Sequence, residues 1–255
     1  MRLADEHEGE QHGWAMNAYF QIIQDTLAEI QRTQREPMEQ SAQLAAEDLL
    51  GNHYIYAFGS GHSHTLSEEV FYRAGGLARV VPVLDENLMV HKSATASTEW
   101  ERKEGYAAEV LGRYAMTVGD VFFIVSNSGR NAVPIEMALE AKKRGAKVVA
   151  ISGVKCNVGI SSRHSSGKKL AEVADVVIDN CGVAGDAAVS LPGLAQKIGP
   201  TSIIASAFIL NSVLIAAAQK VLAAGGTPEV WGSANSDASG NEALLAKYKG
   251  VIPHL

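Results

Sequence analysis

Cysteine is nearly missing from this chain. The two that occur in 255 residues, Cys156 and Cys181, form no CxxC spacing, which excludes a disulfide framework and a cysteine-based zinc module. Positive charge is also in short supply. There are 22 Lys and Arg against 28 Asp and Glu, a formal net charge of −6. Nucleic acids and acidic membranes recruit proteins through basic patches, so neither is expected as a partner. The longest apolar run, Ile203 to Ala218, is broken by Ser206, Asn211 and Ser212 and reads as a buried core helix. The opening MRLADEHEGEQHG has no apolar h-region, so a secretory signal is not expected and the predicted location is cytoplasmic. Neither GxxxxGK[ST] nor GxGxxG occurs, which disfavours both standard modes of nucleotide binding.

What is present is a change of period. Residues 1–13 read as a disordered tail, and 14–52 as two helices, the first carrying Tyr19, Ile22, Ile23, Leu27 and Ile30 at helical spacing. From there the pattern becomes short, continuously apolar runs: HYIYAF (53–58), ARVVPVLD (78–85), DVFFIVS (120–126), AKVVAIS (146–152) and DVVID (175–179). Helical stretches are predicted between them at 65–74, 103–116, 132–144 and 166–172, and a long apolar helix at 201–224. Strands of this kind alternating with helices predict an α/β fold, a three-layer αβα sandwich around a five-stranded parallel sheet. The core then spans 53–224, with 225–255 as a C-terminal tail. Ligands of such sheets bind beyond the carboxyl ends of the strands, so the loops that follow the strands are the candidate site.

Two of those loops combine glycine with hydroxyl groups. The first is Ser60-Gly61-His62-Ser63-His64 after Gly59, and it opens a helix carrying Glu68 and Glu69. The second is Ser126-Asn127-Ser128-Gly129-Arg130-Asn131. Glycine lets the backbone approach a ligand, and a helix N-terminus offers unpaired N–H groups to an anion. Three polar side chains before a glycine suit phosphate oxygens, although a tight turn with a serine cap has the same composition. A third candidate is Thr201-Ser202 at the head of the long helix, where capping and ligand contact are equally compatible with the residues.

The paired loops, together with the Arg144-Gly145-Ala146-Lys147 helix end, resemble the sugar-isomerase (SIS) domain over roughly residues 35–220. The resemblance implies a phosphorylated sugar, or a sulfonate analogue, as ligand, held by Ser60, Ser63, Ser126, Ser128 and the backbone at Gly129. It also implies a homodimer or homotetramer and names no cofactor. The activity it implies is aldose–ketose isomerisation through an enediol. An etherase or lyase using similar proton abstraction and a non-catalytic sugar-phosphate sensor are the alternatives. The chain departs from phosphoheptose isomerases in two respects that bear on chemistry: residues 201–224 contain no histidine, where that family places a catalytic one, and the family's glutamate lies further beyond the serine loop, where this chain has Tyr72, Arg73 and Ala74.

Proton transfer between sugar carbons needs a carboxylate or imidazole near the strand ends. The candidates are Glu68, Glu69, Glu99, Glu101, His64 and His164, with His62 and His91 close by in sequence. His64 and Glu68 stand four residues apart and should share a helix face, as an acid–base pair or two metal ligands. Glu99 and Glu101 follow the second strand, where Thr98 as N-cap with Glu101 three positions on would be an ordinary capping box. His164 sits in the polar loop Ser161–Lys168, which has the composition of a substrate lid or of a plain surface loop.

Overall fold

Five apolar strands pair in parallel in the computed structural model, which describes residues 5–236 and 240–255, with side chains described from Trp14 onward. They are β1 (Ile55–Gly59), β2 (Val80–Val83), β3 (Val121–Val125), β4 (Lys147–Ser152) and β5 (Val176–Asp179), in the order β2-β1-β3-β4-β5. Nearly every strand residue is buried, because helices cover both faces. One face packs against α1 (Asp5–Thr33), α2 (Arg35–Leu50), α3 (His64–Glu69) and α7 (Ser202–Ala223). The other packs against α5 (Tyr106–Leu111) and α6 (Ala132–Lys143), beside the short α4 (Ala94–Glu101). The strand order reverses direction between β1 and β3, and in doubly wound sheets the carboxyl edge at such a reversal is where ligands bind.

The three-layer α/β sandwich with a five-stranded parallel sheet is as the sequence predicts, but several helices differ. The helix expected at 65–74 stops at Glu69. The one expected at 103–116 shortens to α5, which Gly105, with φ 83°, starts, and the unpredicted α4 precedes it, ending at Glu101. The 166–172 stretch is a single 3-10 turn at Leu170–Glu172, because Gly167 at φ 72° interrupts it. Residues 1–4 lie outside the described residues, while 5–13 belong to α1 rather than to a tail. A small antiparallel hairpin, β6 (Ala187–Val189) with β7 (Ile198–Pro200), precedes α7.

The 225–255 segment is not a tail. Trp231 is 2% exposed, stacks edge-on against Tyr72 at 4.9 Å, and its backbone exchanges hydrogen bonds with Gly75 and Gly76. α8 (Asn241–Tyr248) then buries Tyr248 against Tyr54, and Ile252 completes the same core. α7 is long and apolar enough to cross a membrane by length and composition. Its Ala205, Ile209, Val213, Ala217 and Val221 nonetheless recur every fourth residue on the face that fills the core.

At the amino edge of the sheet one buried carboxylate is poorly compensated. Asp48 is 2% exposed; its Oδ2 accepts from the Val121 amide at 2.8 Å, while Oδ1 has no partner among the described residues. Burial, reinforced by the charge of Asp120, pushes its pKa up to about 8. A carboxyl that holds its proton more tightly when folded adds stability at low pH, and that stability drains away as pH rises from about 4 through 8. Wild type should therefore lose up to about 1.4 kcal/mol per pH unit across that window relative to Asp48→Asn. Denaturant melts of both proteins at pH 5 and pH 8 check this, and parallel pH curves would contradict it.

Candidate functional site

The last β1–β3 partners are Gly59 and Val125, so Ser60 and Ser126 leave the sheet side by side. Gly59 is required there: a Cβ would stand 2.2 Å from the Ser63 carbonyl oxygen. This close packing turns the chain directly into the Gly61–Ser63 turn and α3. In the second loop Gly129 adopts φ 58°, and its amide donates to Ser126 Oγ at 3.3 Å. Ser128 is half-buried and lines a small cavity of about 50 Å³ with Gly129, Ser152, Gly153 and Lys169.

Glu101 bridges the two loops. At the end of α4, it accepts from Ser60 Oγ at 2.8 Å on one oxygen and from Asn131 Nδ2 at 2.7 Å on the other. Asn131 in turn accepts from the Arg163 guanidinium at 3.1 Å. Desolvation, then repulsion from Arg102 and Arg130, pushes the pKa of Arg163 below the ordinary arginine value, while Glu101 pulls it back up. Three guanidinium groups thus share one neighbourhood with one carboxylate. Arg130 is half-buried, and its Nε has no partner among the described residues.

The other sequence candidates are placed less centrally. His64 is buried; its Nδ1 lies 2.6 Å from the Gly61 carbonyl, which can only accept, so in the neutral ring Nε2 carries the lone pair. That Nε2 is 4.0 Å from Glu68, which is exposed, and the His64 ring packs against His91. His62 points to solvent and Ser63 is half-buried. Glu69 is tied to Arg73 and Asn211, an attachment of α3 to α7. Glu99 lies on the exposed side of α4, and the N-cap of that helix is Ser93, not Thr98.

Asn127 serves the fold: its carbonyl accepts from Gly153 N and Asn157 Nδ2, and its Oδ1 from Asn180 Nδ2. Thr201 and Ser202 donate through backbone and hydroxyl to Asp186, which supplies the anion at the head of α7 from within the chain. His164 faces Glu136 on α6. Arg163 and Asp186 escaped the sequence reading. Their partners lie 32 and 15 residues away, a separation without periodicity to reveal it.

Strand order defines a doubly wound sheet, and the polar, charged groups gathered at its reversal make the β1 and β3 edge the candidate site. The SIS domain family model matches residues 18–153. A UPF0309 protein of Listeria innocua is 39% identical over 242 residues, covering 94% of this chain and 98% of its own. A UPF0309 protein of Caldanaerobacter subterraneus is likewise 39% identical, covering 94% of this chain and all of its own. The chain belongs to the SIS domain family, alongside the UPF0309 proteins. A phosphoheptose isomerase from Francisella tularensis shares the fold at 14% identity, with a TM-score of 0.52 over 80% of this chain and 96% of that one.

Proposed function

We propose that this protein binds a phosphorylated sugar in the crevice between β1 and β3 and moves a proton between neighbouring sugar carbons, with Glu101 as the base. The observation that carries the reading is the Glu101 bridge. A carboxylate is held by one donor from each serine loop, at the point where the strand order reverses and beside three arginines. The phosphate would take the Ser126–Gly129 turn, where Ser128 Oγ, backbone amides and the Arg130 guanidinium can each donate to its oxygens. The sugar then extends towards Glu101.

Each Glu101 oxygen keeps a lone pair beyond its one hydrogen bond, so the carboxylate can take a proton from a carbon next to a carbonyl. The negative charge this leaves is an enediolate, for which the arginine cluster is a stabilising field. Returning the proton to the adjacent carbon completes an aldose–ketose exchange. His64, with Nε2 free to accept, is the group suited to shuttling protons among the sugar oxygens.

Ser126→Ala and Ser128→Ala should each weaken sugar-phosphate binding by about 1–2 kcal/mol with the fold intact. Calorimetry on both variants is the test; unchanged affinity in both would remove the phosphate from this loop.

The same reading extends to assembly. Trp14, Met16 and Phe20 on α1 and Ile204, Phe208 and Ile215 on α7 are all exposed, and a cavity of about 480 Å³ lies between α1, α2 and α7. So much apolar surface on one helical layer is what a partner subunit covers. We expect a homodimer or homotetramer with an interface above roughly 1,000 Å² per pair, and sedimentation of a monomer at micromolar concentration would contradict it.

A further inference from the structure

His164, Glu136 and Glu104 come from three separate parts of the chain and converge beside the crevice. His164 lies in the loop after β4, Glu136 in the second turn of α6, and Glu104 in the turn between α4 and α5. Their nearest donor atoms all fall within 4.8 Å of one another. His164 Nε2 is 3.5 Å from Glu136 Oε1, close to the edge of a tetrahedron around a zinc-sized ion, which is roughly 3.4 Å for bonds near 2.1 Å. The His164 side chain is 10% exposed, and a cavity of about 220 Å³ opens against His164, Glu136 and Gly105.

The charge of this cluster is unbalanced. Neither Glu104 nor Glu136 has a lysine or arginine at ion-pair distance among the described residues; nearby Lys143 is paired with Glu140. Both carboxylates are already oriented, Glu136 by the Gly105 amide and Glu104 by the amide and hydroxyl of Ser165, and each retains lone pairs. Ser166 Oγ sits 2.7 Å from His164 Nδ1, the outer contact that fixes the ring of a metal-binding histidine.

We propose that these three side chains form a binding site for a divalent transition ion of the zinc class. One imidazole and two carboxylates suit such an ion better than magnesium or calcium, which prefer all-oxygen shells. Its role is to fasten a loop. The residue before His164 is Arg163, which donates to Asn131, and Asn131 holds Glu101. An ion at Glu104, Glu136 and His164 would pin the 161–168 loop to α6 and keep Arg163 over the crevice. A proton on Nε2 can fill the same gap, and the Ser166 amide, 3.2 Å from Nδ1, suits that tautomer. Metal and proton therefore compete, and affinity for the ion should fall as pH is lowered.

The test uses the full chain without a histidine tag, stripped with chelator and titrated with zinc chloride in a calorimeter. One ion per chain with a micromolar or tighter Kd is expected. His164→Ala and Glu136→Gln should each weaken it at least about tenfold, and amide exchange across 161–168 should slow when zinc is added. Circular dichroism confirms that each variant folds, and Glu104→Gln at the exposed corner gives the same readout if one does not. Absence of saturable binding, binding undiminished by these substitutions, or loop exchange unmoved by zinc would overturn the proposal. No sugar phosphate enters the experiment, so the result is independent of the proposed chemistry at Glu101.

Discussion

Glu101→Gln should lower solvent-deuterium exchange into a bound sugar phosphate by about a hundredfold or more, while changing its affinity far less. Glutamine keeps the length of the side chain and can still accept from Ser60. Its amide meets the Asn131 amide on the other side, so one of the two bridging hydrogen bonds is lost with the charge. Glu68 and Glu99, both exposed, serve as comparisons, and Gln at either position should leave exchange within a few-fold of wild type. A hundredfold loss at Glu68 with none at Glu101 would move the base to the His64 face. If wild type binds a sugar phosphate and exchanges no deuterium, the chain is a sensor and the isomerase reading falls.

The second large effect is on stability. Trp231→Ala should cost about 3–5 kcal/mol, a fall in Tm of roughly 10 °C for a chain of this size. The indole fills a fully enclosed position and closes the Gly75–Gly76 turn onto the C-terminal segment. Its Nε1 has no partner among the described residues, so Trp231→Phe loses no hydrogen bond and should cost distinctly less. Thermal melts of the two variants separate these outcomes. A loss under about 1 kcal/mol for Trp231→Ala would mean that residues 225–255 contribute little to the folded core.

The sheet was legible in the sequence because buried parallel strands are continuously apolar, and Ile55–Gly59, Val121–Val125 and Lys147–Ser152 all lie in such runs. The serine loops followed from the strands, since their place at the carboxyl edge is fixed by the fold. α4 was obscured by its composition: ATASTEWE is rich in Ser and Thr, which compete for backbone hydrogen bonds, and Glu101 carried a capping reading there beside the catalytic one. The C-terminal segment misled for a related reason. Trp231 stands in a polar stretch with no period, and only its packing against Tyr72 marks it as core. The Glu101 bridge and the Glu104, Glu136 and His164 cluster both unite residues about 30 to 60 positions apart. No window of local pattern contains them. Thr201 and Ser202 show the converse, since their composition fits an anion that Asp186 already provides.

The central claim is the position of the ligand. Crystals soaked with a panel of sugar phosphates test it most directly. The account predicts density for a phosphate enclosed by Ser126, Ser128 and the Gly129 amide, with Arg130 or Arg163 on its oxygens. The carbon chain should run towards Glu101, placing a carboxylate oxygen within hydrogen-bond reach of the hydroxyls on the reacting carbons. A phosphate seated instead at the head of α7 with Asp186 displaced, or a sugar whose carbons lie beyond reach of Glu101, would contradict it.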